Sequence, residues 1–489
     1  MITASMLYDY ISCPHRVSQD LFESAAKKDP VSPFVQLLWD RGTAHEQEVM
    51  ASLNLPFLDL SGFDGAERER LTTNAMQESV PLIYSGRISH GDLLGVPDLL
   101  RLEGAGYVPG DIKSGSGEEG GDDDGKPKKH YAVQMALYVD ILEKLGRSGG
   151  RRAFVWDIHG KEVPYDLVVL QGVKNPQSLW SEYERTLGAV RKIIEKSIVT
   201  AAALSSPCKN CWWHSACLDA LIQKNDLTLI PELGRAQRDA FQGEIETVAA
   251  LAEIDPKKYV VGKKTKFAGI GPDSLEKFQR RAKLNSTPGG KPYLRSSLAL
   301  PTSPVEIFFD IEVDPMRDIC YLHGFIERDA NGVEVYVAHF ADEPTRDKER
   351  VAFIAAWDFL RARPKAIVYY YSKYERTIYR KLQSKYPDIC TPEEVEALFS
   401  TERAVDLYND VVTKATEWPT RDYSLKTLAA YLGFKWRDTH PSGAASIEWF
   451  DKWVKTKDAA VKARIVEYNE DDCRATRVLL DGVRSLTVI

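Results

Sequence analysis

The sequence predicts a multidomain α/β protein, and three observations carry that expectation. Its 489 residues are about three times a typical domain of roughly 150. Segments with the two-residue alternation of strands interleave with segments of helical period. Three cysteines crowd into one short stretch at Cys208, Cys211 and Cys217, with Cys13 far upstream and Cys320, Cys390 and Cys473 scattered. An odd total of seven argues against a disulfide framework, and the trio suggests a metal.

Composition narrows the class further. A hydrophobic content of 44%, with 10 Trp, 22 Tyr and 17 Phe, can build sizeable cores, which excludes global disorder. No apolar run approaches the roughly 20 residues of a spanning helix, and the opening MITASMLYDY has no basic region leading into an apolar core. A cytoplasmic chain without membrane contact is expected. Lys and Arg number 64 against 71 Asp and Glu, a net charge of −7, so any nucleic-acid surface must be local. The phosphate-cradling G-x-x-x-x-G-K-[ST] is absent from the sequence, so no ATP-driven motor is encoded.

Residues 1–228 are expected as the first domain. Val35–Met50 reads as a helix weakened by Gly42, Ile88–Glu103 as strand, turn and strand, and Tyr107–Lys113 as a short strand. Ser114–Lys129 (SGSGEEGGDDDGKPKK) has little to bury and reads as a mobile loop. A helix follows over Tyr131–Glu143, then a strand pair over Ala153–Val169, then a long helix from Gln177 to about Leu204.

Residues 229–303 differ in character. From Lys257 to Arg295 eleven basic residues face two acidic ones, Asp273 and Glu276. Gly269-Ile-Gly271-Pro precedes a helix, and such a turn can present backbone N–H groups to a phosphate, as helix-hairpin-helix elements do. The expected contacts are Lys257, Lys258, Lys263, Lys264, Lys266, Gly269, Gly271, Arg280 and Arg281, against DNA first and RNA second. The plainer alternative is a basic linker with a helix cap.

Residues 304–489 open with three strands, Val305–Val313, Ile319–Glu327 and Gly332–Phe340. A helix at Lys348–Arg361 and a strand at Ala366–Tyr371 follow. Three antiparallel strands leading into α/β alternation is the order of an RNase H-like domain.

Two carboxylate constellations carry chemistry. In the first, Asp111 and Lys113 lie two apart on a strand and emerge on one face. A carboxylate can hold a cation there while the ammonium steadies developing phosphorane charge. Asp98 adds a hard oxygen, His45 an imidazole, and Gln134 and Tyr138 share a helix face. In the second, Asp310 and Glu312 in FFDIEV share one face of an apolar strand, where carboxylates are costly unless paired. Glu375 opens a helix beyond a strand, and Tyr468 and Asp472 are four apart on another. Four carboxylates there would bridge two cations, with Tyr468 orienting water and Asp406 either supporting the metals or capping its helix. Cys13, Cys208, Cys211 and Cys217 offer four thiolates for zinc or an iron–sulfur cubane, with His214 a rival fourth ligand.

The order G-x-x-H, G-x-P-D, D-x-K, Q-x-x-x-Y over His45, Asp98, Asp111, Lys113, Gln134 and Tyr138 resembles the RecB-like branch of the PD-(D/E)XK nucleases, including its CRISPR-associated members. That resemblance implies a restriction-endonuclease-like core, with Asp98, Asp111 and Lys113 as its catalytic triad and His45 as an additional ligand. It also implies a [4Fe–4S] clasp on Cys13, Cys208, Cys211 and Cys217. The C-terminal motifs resemble the DEDD-type 3′–5′ exonucleases in their Tyr-containing subgroup, departing at Tyr371-Ser-Lys-Tyr-Glu375, where Asn-x-x-Phe-Asp is usual. The whole chain resembles a bacterial family of RecB-like nucleases carrying such a C-terminal domain. The resemblance implies a Mg²⁺- or Mn²⁺-dependent DNA exonuclease with both centres metal-bound, acting in DNA end processing, repair, recombination or defence. An RNA exonuclease driven by the C-terminal centre and a non-catalytic nucleic-acid-binding adaptor are the alternatives.

Overall fold

Contacts along the chain of this computed structural model, which describes residues 1–489 apart from 54, 120–124 and 173–174, fall into two units. The first comprises Met1–Ala202 with Ser206–Leu218, and the second Ala203–Ser205 with Asp219–Ile489. Residues 229–303, read from the sequence as a small domain of their own, are grouped with the second unit. No helix among the described residues is long and apolar enough to cross a membrane.

The first unit is organised around the helix Lys129–Lys144, whose Ala132, Val133, Ala136, Leu137, Ile141 and Leu142 are fully buried. A helix this apolar on several sides must be covered on several sides. It packs on the strand Gly106–Ile112 and against the helices Ala4–Ser12 and Leu179–Ile194. The six-stranded sheet runs Glu162–Asp166, Arg152–Trp156, Gly106–Ile112, Leu99–Glu103, Leu82–Tyr84 and Leu58–Asp59. Its third strand pairs in parallel with Arg152–Trp156 and antiparallel with Leu99–Glu103. The helix expected to reach Leu204 stops at Ile194, because Lys196 adopts a left-handed φ of 56°. In the expected loop 114–129, Glu118–Glu119 pair antiparallel with Lys126–Pro127, while residues 120–124 lie outside the described residues.

The second unit holds a five-stranded sheet in the order Glu334–Phe340, Ile319–Arg328, Glu306–Asp314, Ile367–Tyr370, Ala404–Asp406. The first three pair antiparallel and the last two join in parallel, as the pattern of residues 304–489 predicts. The central strand buries Ile307, Phe308 and Phe309 on both its faces, so it lies between two apolar layers. Across one of these lies the 26-residue helix Ala459–Arg484, started by Asp458, whose carboxylate accepts the Ala460 N–H.

Between Asp219 and this sheet lie the short helices Arg235–Phe241 and Val248–Glu253, a hairpin of Val260–Val261 with Lys264–Thr265, and the helix Pro272–Ser286. Lys257, Lys258, Lys263, Lys264 and Lys266 are exposed, as are Gly269 and Gly271. Gly269 takes a φ of +74° and Gly271 caps the Pro272–Ser286 helix. Arg281 corrects the expected list of nucleic-acid contacts. Its side chain is fully buried, donating to Glu417 Oε2 at 3.0 Å and to the Pro231 carbonyl at 2.8 Å. Arg280 donates to Glu417 Oε1 at 2.9 Å, and Arg295 lies 3.4 Å from the same oxygen. Glu417 is itself wholly buried, so this charge cluster ties the basic segment's helix to the sheet domain.

Candidate metal centre

Asp310 and Glu312 stand two apart on the central strand, so both project from the same face. Opposite Asp310 in the antiparallel register is Gly324, and opposite Glu312 is Leu322. The long helix supplies Tyr468, Asn469 and Asp472 from one side, at spacings that face a single surface. One carboxylate oxygen from each of Asp310, Glu312 and Asp472 lies within 4.8 Å of the others, forming the only such group of three or more His, Cys, Asp or Glu among the described residues.

These carboxylates are held against their preference. Burial, reinforced by Asp472, Glu312 and Glu375, pushes the Asp310 carboxyl well above the usual range. Burial with Asp472 beside it raises Glu312 to about 8. Three hard oxygens crowded in this way fit a Mg²⁺ or Mn²⁺ ion, whose charge would remove that cost. A second observation points to the same ligand class. Glu375 is 3% exposed in the first turn of the Tyr374–Lys385 helix, and its Oε2 has no hydrogen-bond partner among the described residues. Burial also raises its carboxyl well above normal.

Polar neighbours orient the ligands. Asn469 Nδ2 donates to Asp310 Oδ2 at 2.7 Å, while Asn469 Oδ1 accepts from the Tyr336 hydroxyl at 2.9 Å. Trp436 Nε1 donates to Asp472 Oδ1 at 2.7 Å. Lys426 Nζ lies 3.2 Å from both Asp472 oxygens and donates to the Tyr468 hydroxyl at 2.9 Å. The Tyr468 phenol is 2% exposed, and burial with Asp472 raises its pKa far above normal, keeping it protonated. Asp406, left open between two roles, acts as a cap. It accepts from the Ser372 and Asn409 backbone N–H groups at 3.0 and 2.9 Å and from Asn409 Nδ2 at 2.7 Å.

Lys426 and Trp436 escape sequence reasoning because they come from other segments with no spacing that links them to Asp472. Asn469 was findable: it lies three residues before Asp472 on the helical face that already carries Tyr468.

In the first unit, Asp98, Asp111 and Lys113 do meet. Lys113 Nζ is 2.7 Å from Asp111 Oδ2, the Ile112 N–H donates to Asp98 Oδ2 at 2.8 Å, and the Asp98 N–H to Asp111 Oδ1 at 3.4 Å. Burial, then Asp111, pushes Asp98 well above its ordinary value. Burial works against the Lys113 charge, yet Asp111 and Asp98 hold its ammonium above the usual range. The Tyr138 hydroxyl donates to the Val96 carbonyl at 3.4 Å. His45 Nε2 and Gln134 Oε1 are buried without a hydrogen-bond partner among the described residues. No three-ligand group forms here among the described residues, so the second Mg²⁺ or Mn²⁺ centre expected at this end is corrected. An ammonium, rather than a third ligand, sits on Asp111.

The iron–sulfur expectation is corrected too. Cys13, Cys208, Cys211 and Cys217 form no metal-ligand group, and the one such group among the described residues contains no cysteine. The first helices are fastened to the cysteine segment by tryptophan and charge. The Arg16 guanidinium lies 4.0 Å from the centre of the Trp212 ring, and Trp212 and Trp213 Nε1 both donate to Asp20 Oδ1, at 3.0 and 3.1 Å. The Asp29 N–H donates to the Trp212 carbonyl at 2.7 Å, and Asp29 Oδ2 accepts the Ser215 N–H at 2.9 Å. Burial raises the Cys211 thiol, and Cys13 and Cys208 lie near enough to add to that rise, so the thiols neighbour one another within this packing of indoles and cations.

Comparison with known proteins follows the same division. No curated protein matches the chain. A family model, RNase_H_2 of the RNase_H superfamily, matches residues 307–483; it corrects the expected RecB-like, PD-(D/E)XK character, since the family likeness found lies wholly outside residues 1–228. That span contains the antiparallel-to-parallel sheet, the carboxylate trio, Glu375 and Tyr468. Residues 307–483 of this chain form an RNase H-like domain.

Proposed function

We propose that the protein is a divalent-metal-dependent nuclease that hydrolyses phosphodiester bonds at nucleic-acid ends, with DNA as its preferred substrate. The observation that carries this reading is the convergence of Asp310, Glu312 and Asp472 within 4.8 Å in an RNase H-like domain. A bound Mg²⁺ or Mn²⁺ would polarise a phosphoryl oxygen and lower the pKa of a coordinated water.

The chain's own residues supply the rest. Asp310, Glu312 and Asp472 are the metal ligands, with the orphaned Glu375 oxygen beside them. Asn469 keeps Asp310 aimed by donating to its second oxygen. Tyr468 stays protonated, accepting from Lys426 and donating towards Asp472, so its hydroxyl stands beside a metal ligand where it can orient an attacking water. Exposed Lys257, Lys258, Lys263, Lys264 and Lys266 would draw in the phosphate backbone without reading sequence.

The test is degradation of end-labelled single-stranded DNA, double-stranded DNA and RNA with Mg²⁺ or Mn²⁺. Wild type should shorten DNA ends, while Asp310→Ala and chelator-treated protein should not. Shortening of RNA alone would assign an RNA exonuclease. Binding without turnover of any substrate would leave a nucleic-acid-binding adaptor.

A further inference from the structure

Four carboxylates in such a domain suggest two cations, yet the hydrogen bonds at Asp472 leave room for fewer. A carboxylate offers about four lone-pair directions. Lys426 Nζ takes one on each Asp472 oxygen, at 3.2 Å, and Trp436 Nε1 takes a second on Oδ1 at 2.7 Å. The Tyr468 hydroxyl also hydrogen-bonds to Asp472, so at most one direction, on Oδ2, stays open. Asp310 is also partly engaged, since Asn469 Nδ2 occupies its Oδ2.

Lys426 is placed to act as a cation itself. It stands in the second position of the helix Leu425–Tyr431, whose N-terminus is capped by Ser424, and its ammonium touches both Asp472 and the Tyr468 hydroxyl. Its Nζ also lies 4.9 Å from the Tyr468 ring centre and 5.4 Å from that of Trp436, so two aromatic rings further hold the charge. We propose that this centre binds a single divalent ion, on Asp310, Glu312 and Asp472, and that the Lys426 ammonium takes the place of a second ion beside Asp472. The inference rests on the metal-dependent reading above and deepens it. Lys426 is then a positioning residue that fixes metal stoichiometry and holds Tyr468.

Manganese binding to the full-length protein tests it, by calorimetric titration and by electron paramagnetic resonance. Ions are counted as the difference from Asp310→Ala, which removes any held elsewhere on the chain. Wild type should bind one such ion with the six-line spectrum of an isolated Mn²⁺. Lys426→Ala should bind two and show an exchange-coupled pair, whereas Lys426→Arg should keep one. Two ions in wild type, or one in Lys426→Ala, would overturn the assignment while leaving metal dependence intact. No ion lost on going from wild type to Asp310→Ala would overturn both this inference and the reading beneath it.

Discussion

A Cβ added at Gly324 would overlap Asn469 Oδ1, so the absence of a side chain on one strand is what lets the amide of the long helix reach Asp310 on the next. The strand that carries Asp310, its neighbour and the helix therefore form one geometric unit. Gly324→Ala should displace Asn469 and cost about 1–3 kcal/mol through overpacking. Denaturant unfolding should show the loss, and Mn²⁺ titration should show weaker binding at the Asp310 centre. Unchanged Mn²⁺ affinity would separate Asn469 from metal-ligand orientation.

Glu312 gives the metal-free protein a pH signature. Its folded carboxyl titrates near 8, above the unfolded value of 4.5. Between those values the folded state holds the proton that the unfolded state has lost, so stability falls as pH rises. The decline should begin near pH 4.5 and level off near pH 8. Glu312→Gln should flatten this slope in chelator-treated protein, as followed by thermal unfolding. Divalent-ion affinity should rise over the same window, because binding must expel the proton. A slope identical in mutant and wild type would assign the titration to other groups.

Tyr468→Phe removes one hydroxyl that accepts from Lys426 and leaves every carboxylate in place. Turnover should fall on the order of 10²-fold, the scale of misplacing a reacting group, while metal affinity stays near wild type. Single-turnover cleavage alongside Mn²⁺ titration separates the two quantities. Equal turnover would exclude the hydroxyl from water orientation.

Glu417 is the buried partner of Arg280, Arg281 and Arg295. Glu417→Ala would leave the fully buried Arg281 with only the more exposed Glu232 carboxylate, 3.2 Å away, and should destabilise the second unit by about 3 kcal/mol. Glu417→Gln should cost less, because the amide oxygen can still accept a hydrogen bond. Chemical denaturation measures both. A loss below about 1 kcal/mol for the alanine variant would mean the arginines find other partners.

Lys263 and Lys264 sit exposed at the hairpin turn, where neither contributes to the core. Reversing both charges should weaken binding to all nucleic-acid sequences alike. The salt slope should shrink by about 0.9 for each duplex phosphate that is no longer neutralised. Binding measured across a salt series reads this, and an unchanged slope would remove the hairpin from the nucleic-acid surface.

What the sequence determines by itself is local. Alternation in FFDIEV puts Asp310 and Glu312 on one strand face, helical spacing puts Tyr468 and Asp472 on one helix face, and the strand order after Val305 declares the sheet topology. These follow from periods of two and 3.6 residues, which need no knowledge of the partner segment. Partnership across the fold was decided only in three dimensions. Arg281 looked like a phosphate contact within its basic run, yet a glutamate 136 residues away buries it. Lys426 carried no signal, yet it lies on Asp472. The cysteine spacing suggested a cluster, yet the one metal-ligand group among the described residues contains no cysteine, and Trp212, Trp213 and their charged partners pack the junction. A charged side chain's role depends on which opposite charge the fold brings within about 4 Å, because Coulomb attraction and desolvation both act over that distance rather than along the chain.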